Sequence, residues 1–242
     1  MINDKITKLK SIIDNSKNIV FFTGAGVSTE SGIKDFRSKD GLYNMKYKFP
    51  PEEILSHTFF YNHTEDFYEF YKDKLNPNGV EPNIFHKYIK ELEDLGKVKA
   101  IVTQNIDGLH EKAGSKNIYN LHGTVYKNKC LECGLEYDSE FVFKCKDIPK
   151  CKCGGIIKPD VVLYEEGLDD DTLYNSIEAI STADTLIIAG TSLTVQPASS
   201  LIRYFRGSNI ILLNRDTTPY DNMADIVIND ELKNIIKKLK EL

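Results

Sequence analysis

Apolar and polar positions along this chain change period from block to block, and the changes predict its elements. Ile6, Leu9, Ile12 and Ile13 fall at helical spacing and predict an opening amphipathic helix. The unbroken apolar run Ile19 to Phe22 reads as a buried strand, and Val98 to Val102, Thr185 to Gly190, Asn209 to Asn214 and Ala224 to Ile228 read the same way. Helices are expected over Phe85 to Leu95, after the acidic Asp169 to Asp171, from Pro197 to about Phe205, and around Leu232, Ile235, Ile236 and Leu239, whose neighbouring lysines read as a solvated face. Short buried strands alternating with helices indicate an α/β fold with a doubly wound parallel sheet.

Two stretches break that rhythm. Pro50 to Leu75 carries Phe59, Phe60, Tyr61, Phe67, Tyr68, Phe70 and Tyr71 at spacings of packed helices. These aromatics read as the core of a small module, not as a base-stacking platform. Asn76 to Asn83 is a clear breaker. The second stretch contains the cysteines and ends in an extended run, Pro159 to Tyr164.

Composition narrows the class. With 242 residues, 41% hydrophobic and 28% charged, the chain fits one large soluble domain or one domain with a small insert. A net charge of −5 disfavours a general nucleic-acid surface, though a mildly acidic body can attract basic peptides. No apolar run suits a membrane span, and the N-terminal residues lack a signal-type apolar core, so a cytoplasmic location is expected. Cys130 and Cys133 form a C-x-x-C pair, and Cys151 and Cys153 a C-x-C pair before Gly154 and Gly155. In a reducing compartment such pairs suggest a ribbon-type zinc site before a disulfide. Four thiolates leave no open position on the metal, which makes it structural. Cys145 can stand in for Cys151 in this pattern.

Candidate chemistry clusters where strands end. Gly24, Gly26 and Gly32 interrupt the turn after the first strand, either to admit a pyrophosphate beside a helix N-terminus or simply to make a tight turn. Phe36 and Arg37 lie in an aperiodic stretch that suits a loop over a nucleotide, or a plain surface loop. Thr103 to His122, TQNIDGLHEKAGSKNIYNLH, gathers Gln104, Asn105, Asp107, His110 and His122 after a strand, where open α/β sheets bind ligands. Asn214 ends its strand where a ribose-binding side chain often stands.

Taken together, GAGVSTESGIKDFRS, TQNIDGLH, LHGT, the cysteine pairs, KPDVVLY, GTSLTVQPAS and NRDTTPYDNMADIVI resemble the motifs of the sirtuin family, in family order over nearly the whole chain. The resemblance implies a Rossmann-type domain of residues 1–38, 85–125 and 159–242, and a small domain of residues 39–84 and 126–158 that combines a helical insertion with a zinc ribbon. It implies an NAD-dependent protein lysine deacetylase that moves the acetyl group from lysine to ADP-ribose, releasing nicotinamide and O-acetyl-ADP-ribose. Ala25, Thr29, Phe36 and Arg37 would contact NAD; Gln104, Ile106 and Asp107 would hold the ribose and nicotinamide; Thr191, Ser192 and Asn214 would serve the adenosine end. His122 would be the base, with Asn105 orienting ribose and water. Val162, Tyr164 and Val195 would line the acyl-lysine tunnel, with the backbones near 162–165 and 193–195 pairing with an acetylated peptide. Cys130, Cys133, Cys151 and Cys153 would hold one zinc ion.

Two residues depart from the family pattern. Lys34 stands where Pro is usual, which relaxes the cofactor loop, and Glu165 stands where Gly is usual, beside the peptide strand. The Tyr and Arg pair of the succinyl-removing branch does not follow Tyr43, so neutral acyl groups are expected. The same residues also admit mono-ADP-ribosyl transfer, or NAD binding without catalysis. An intact His122 argues against the latter, because a binding module needs no base.

Overall fold

The computed structural model of the chain describes residues 2–36, 41–44 and 47–242. Its strands in chain order are β1 (Ile19–Thr23), β2 (Val98–Thr103), β3 (Ile118–Asn120), β4 (Gly123–Cys130), β5 (Glu136–Asp138), β6 (Ile157–Val161), β7 (Thr185–Ala189), β8 (Asn209–Leu213) and β9 (Ile226–Ile228). Six form a parallel sheet in the order β3-β2-β1-β7-β8-β9, and the other three an antiparallel sheet in the order β5-β4-β6.

The large sheet is covered on both faces, which is why its strands lack the polar alternation of a half-exposed sheet. Successive residues point to opposite layers. Ile19, Phe21, Ile101, Ile187 and Ile211 pack against helices Ile2–Asn15, Ile84–Asp94 and Leu232–Lys240. Val20, Phe22, Val102, Leu186, Ile188 and Leu212 pack against helix Asp170–Ser181 and the turn-rich Ala198–Tyr204. The opening helix buries Ile6, Leu9 and Ile13, with Ile12 at the edge of the same cluster. Asp169 caps its helix by accepting from the Thr172 N–H at 2.8 Å, as the acidic run predicted.

Chain order reverses at β1, which pairs with β2 on one side and β7 on the other. A crevice must open at such a switch point, because the connections leave in opposite directions. The register sharpens this. Thr23 lies level with Thr103 and Ala189, and Ala189 level with Leu213, so the turns beginning at residues 24, 104, 190 and 214 leave the sheet side by side.

The antiparallel sheet packs with helices Pro51–Ile54, His57–Asn62, Thr64–Lys74 and Ser139–Lys144 around a third core. Phe60, Phe67, Tyr68 and Tyr71 are all buried there, and Tyr71 stacks on Phe67 and Phe143 at centroid distances of 5.6 and 5.3 Å. The aromatic stripe is therefore core. Phe60→Ala should cost about 3–5 kcal/mol through the cavity it leaves, read as a lower denaturation midpoint in urea.

The structure adds to the sequence reading at several short elements. The helix expected from Pro197 to about Phe205 is present as a 3-10 helix over residues 198–204. β3 was not expected; three residues are too few to show a period.

Candidate active site

The turns at the sheet's carboxyl edge and the rim of the small module enclose a cleft of about 1010 Å³. Ala25, Thr29, Phe36, Gln104, Asn105, Ile106, Asp107, His122, Val162, Tyr164, Thr191, Ser192, Val195 and Asn214 all line it. Arg37 lies outside the described residues. The cleft also takes in residues 230–233, which join the last strand to the closing helix.

The turn after β1 is built for close approach. A Cβ on Gly26 would stand 2.8 Å from the Gly190 Cα, so a side chain there would push the β1 and β7 turns apart. The expected helix N-terminus is absent from this turn. Two short 3-10 turns, Ala25–Val27 and Thr29–Ser31, occupy the place, ended by Gly32 in the left-handed region. Asn83 braces them from helix Ile84–Asp94: its amide donates to Val27 O and Ser31 Oγ at 2.7 and 3.0 Å, while its oxygen caps the helix at the Phe85 N–H.

The polar residues after β2 divide by depth. The Ser28 hydroxyl donates to Asp107 Oδ2 at 2.7 Å, the Leu109 N–H donates to Oδ1 at 2.9 Å, and the Asn105 amide donates to Ser28 Oγ at 3.1 Å. Burial raises the Asp107 carboxyl above its ordinary value of 3.8, against the lowering effect of those two donors. Gln104 reaches across to Thr191 Oγ1 at 3.1 Å and links the β2 and β7 turns. Ser28 escaped the sequence reading, although it sits inside the glycine motif; nothing in its spacing announces a partner 79 residues away.

The two histidines of this stretch part company. His110 points into the core, where its Nε2 meets Thr23 Oγ1 at 3.1 Å and its ring packs edge-on against His86 at 4.8 Å. It does not line the cleft, so the grouping of His110 with the ligand-facing residues is corrected. A short helix, Leu109–Lys112, turns its side chain inward. Burial keeps both imidazoles neutral, pushing His86 down to about 4 and His110 well below its ordinary value, with each other's charge opposed as well at His110.

His122 precedes β4 and faces the cleft. Its Nδ1 lies 2.9 Å from Gln104 O, an acceptor only, so Nδ1 carries the proton and Nε2 keeps its lone pair. Burial lowers its pKa below the ordinary 6.5, partly offset by the bond to Gln104. A neutral imidazole with a fixed tautomer is a ready general base.

Two backbone stretches beside the cleft carry open polar groups. On one wall Tyr164 spends its N–H on Leu55 O and its carbonyl on the His57 N–H, while the N–H and C=O of Glu165 carry no hydrogen bond among the described residues. Thr194, between the lining residues Ser192 and Val195, likewise has no backbone hydrogen bond among the described residues. Glu165 has φ 75°, in the left-handed region that favours glycine.

The four-cysteine cluster lies apart from the cleft. The Sγ atoms of Cys130, Cys133, Cys151 and Cys153 are all within 4.8 Å of one another, and the pairs Cys130–Cys153 and Cys133–Cys151 are each 3.5 Å apart. Tetrahedral zinc–thiolate bonds of about 2.3 Å place sulfurs about 3.8 Å apart, so the donor set fits zinc. A Cβ on Gly155 would stand 2.8 Å from Cys130 Sγ, so the knuckle closes only over glycine. The Tyr137 hydroxyl donates to Cys151 Sγ at 3.1 Å. Cys145 stays outside the cluster, its carbonyl oxygen accepting from Lys72 Nζ at 2.7 Å.

A doubly wound sheet with a ligand cleft at its switch point and an inserted four-cysteine ribbon defines a Rossmann-type binding protein with a structural metal module. Residues 24–197 match the model of the Sir2 family. The chain is 58% identical over 238 residues to an NAD-dependent protein deacetylase of Clostridium acetobutylicum, spanning 97% of each, and 57% identical over 241 residues to one of Clostridium perfringens, spanning 98% of this chain and 99% of that one. Among solved structures, it superposes on a Sir2 enzyme at 41% identity with a TM-score of 0.89, covering 99% of both chains. It also superposes on a Sir2 protein bound to a p53 peptide and NAD+ at 34% identity, with a TM-score of 0.87, covering 98% of this chain and 97% of that one. The chain belongs to the Sir2 family.

Proposed function

We propose that the chain is an NAD-dependent protein lysine deacetylase, an acyltransferase that moves the acetyl group of a lysine side chain onto ADP-ribose. One observation carries this reading: His122, with its Nδ1–H committed to Gln104 O, lines the same cleft as the polar set after β2, the open backbone at Glu165 and the residues Ser192 and Val195 that flank Thr194.

NAD is a co-substrate, consumed in each turnover. Ala25, Thr29, Phe36 and Arg37 would contact it; Thr191, Ser192 and Asn214 would serve the adenosine end; Gln104, Ile106 and Asp107 would hold the ribose and nicotinamide. The acetylated peptide adds as a strand between the Glu165 and Thr194 backbones, sending its acyl-lysine past Val162, Tyr164 and Val195. Nicotinamide leaves as the acyl oxygen bonds to the anomeric carbon. Asn105, held by Ser28, orients ribose and water. His122 Nε2 then takes the proton of a ribose hydroxyl, whose oxygen attacks the imidate carbon; the lysine nitrogen leaves as the free amine, and one water adds at that carbon, freeing the anomeric oxygen as a hydroxyl and leaving the acetyl group as an ester of ADP-ribose. Cys130, Cys133, Cys151 and Cys153 hold one zinc ion that braces the small domain and takes no part in the reaction. The domains divide as residues 1–38, 85–125 and 159–242 against residues 39–84 and 126–158. A cytoplasmic location suits free thiolates held on a metal.

The test is nicotinamide release from NAD with and without an acetyl-lysine peptide, with mass spectrometry of the nucleotide product. Release that needs the peptide and yields O-acetyl-ADP-ribose supports the reading; ADP-ribose attached to protein without any acyl substrate overturns it.

The pH dependence follows from the sign of the His122 shift. The base works neutral and burial lowers its pKa, so kcat/KM should fall on the acid side with a midpoint below the ordinary 6.5. His86 and His110 set a bound on the measurement. Both are depressed in the folded state, so the unfolded chain binds more protons below 6.5 and stability falls there. Circular dichroism at each pH separates the two effects.

A further inference from the structure

The two walls that flank the peptide path differ in charge. Residues 191–197, on one side, contain no charged residue. Residues 162–168, on the other, contain only Glu165 and Glu166. Glu166 is spent: Lys158 Nζ lies 3.1 Å from Oε2, the Leu163 N–H donates to the same oxygen at 2.9 Å, and His57 Nδ1 lies 3.0 Å from Oε1. Glu165 is exposed and forms no ion pair with a Lys or Arg among the described residues. Its Oε2 accepts from the Thr58 N–H at 2.8 Å, in the first turn of helix His57–Asn62. That bond anchors the side chain at the rim of the cleft, so a partner cation need not order it first.

We propose that Glu165 is a specificity-determining residue, selecting acyl-lysine peptides that carry a Lys or Arg within three positions of the acylated residue. The proposal rests on the deacetylase reading above. Glu165 at φ 75° is not an extended ladder residue, but a peptide bonded to its open N–H or C=O still runs beside this anchored carboxylate, within reach of a long cationic side chain. The tunnel residues Val162 and Tyr164 lie three and one positions earlier along the same wall, so the opposed residue is a near neighbour of the acyl-lysine.

The experiment is a peptide scan. Acetyl-lysine peptides with Ala flanks are compared with peptides carrying one Lys, or one Glu, at each of the three positions on either side, and kcat/KM is expressed relative to the Ala-flanked parent. At low salt, one position should show about a two- to five-fold gain with Lys and a comparable loss with Glu, both shrinking as added salt screens the pair. Glu165→Gln keeps the acceptor for Thr58 and removes the charge, so both ratios should fall to about one. Glu165→Lys should invert them. The proposal is overturned if no position in the unaltered protein distinguishes Lys from Glu, or if the ratios persist in Glu165→Gln. Failure of the deacetylase reading looks different: the Ala-flanked peptide itself is not consumed with NAD.

Discussion

His122→Ala should stop formation of O-acetyl-ADP-ribose while leaving a measurable fraction of peptide-dependent nicotinamide exchange. The separation follows from the order of steps. In the proposed mechanism nicotinamide departs when the acyl oxygen attacks the ribose, before any proton is removed by His122. The ribose hydroxyl needs the base only afterwards, to attack the acyl carbon. General-base removal typically costs about 10²–10⁴-fold, and the variant should lose that much in deacetylation. Exchange of labelled nicotinamide into NAD, run beside product analysis, reads the two halves separately. Equal loss of both would show that His122 organises the cleft as a whole, and an unchanged deacetylation rate would remove it from the mechanism. His122→Asn is the informative companion, because its amide can still donate to Gln104 O but offers no basic nitrogen.

Cys130→Ser should release the metal and unfold the small module. Thiolate binding of a structural zinc carries on the order of 10 kcal/mol of folding free energy in small metal domains, more than the antiparallel sheet can supply alone. The strands β4 and β6 that frame the cysteines also carry Val125, Ile157 and Val161 into the third core, alongside Phe60 and Tyr71. Losing the metal therefore loosens the rim that includes Leu163 and Tyr164, and activity should fall without any change at His122. Zinc content by atomic absorption and the thermal midpoint are the readouts. Retention of one equivalent of zinc with an unchanged midpoint would remove Cys130 from the ligand set. Cys145→Ser is the control: it lies outside the cluster and should keep the metal.

Much of this was legible because the chemistry is written in contiguous motifs. The buried strands were readable as apolar runs because a parallel sheet covered on both faces needs no polar alternation. The aromatic stripe was readable as core because helical spacing put Phe60, Phe67 and Tyr71 on one side. The cysteine pairs announced a metal by type and spacing, and GAGVSTESG and TQNIDGLH each carry their donors within a few residues.

What escaped depended on partners far along the chain. Ser28 and Asp107, 79 residues apart, meet only because β1 and β2 are neighbours in register. His110 and His122 look alike in sequence, yet a short helix turns the first into the core while the second enters the cleft. Cys145 and Cys151 were interchangeable by spacing, and the fold of the second knuckle separates them.

By itself, then, the order of residues determined the class of sheet, the family and the kinds of group that do the work, since periodicity and motif are local properties. Only the tertiary structure decided which histidine lines the cleft, which cysteines converge and which of two neighbouring glutamates has no lysine partner among the described residues. Each of these depends on the direction of a side chain and the charge beside it, and both are set by strand register and packing across the fold rather than by neighbours in the chain.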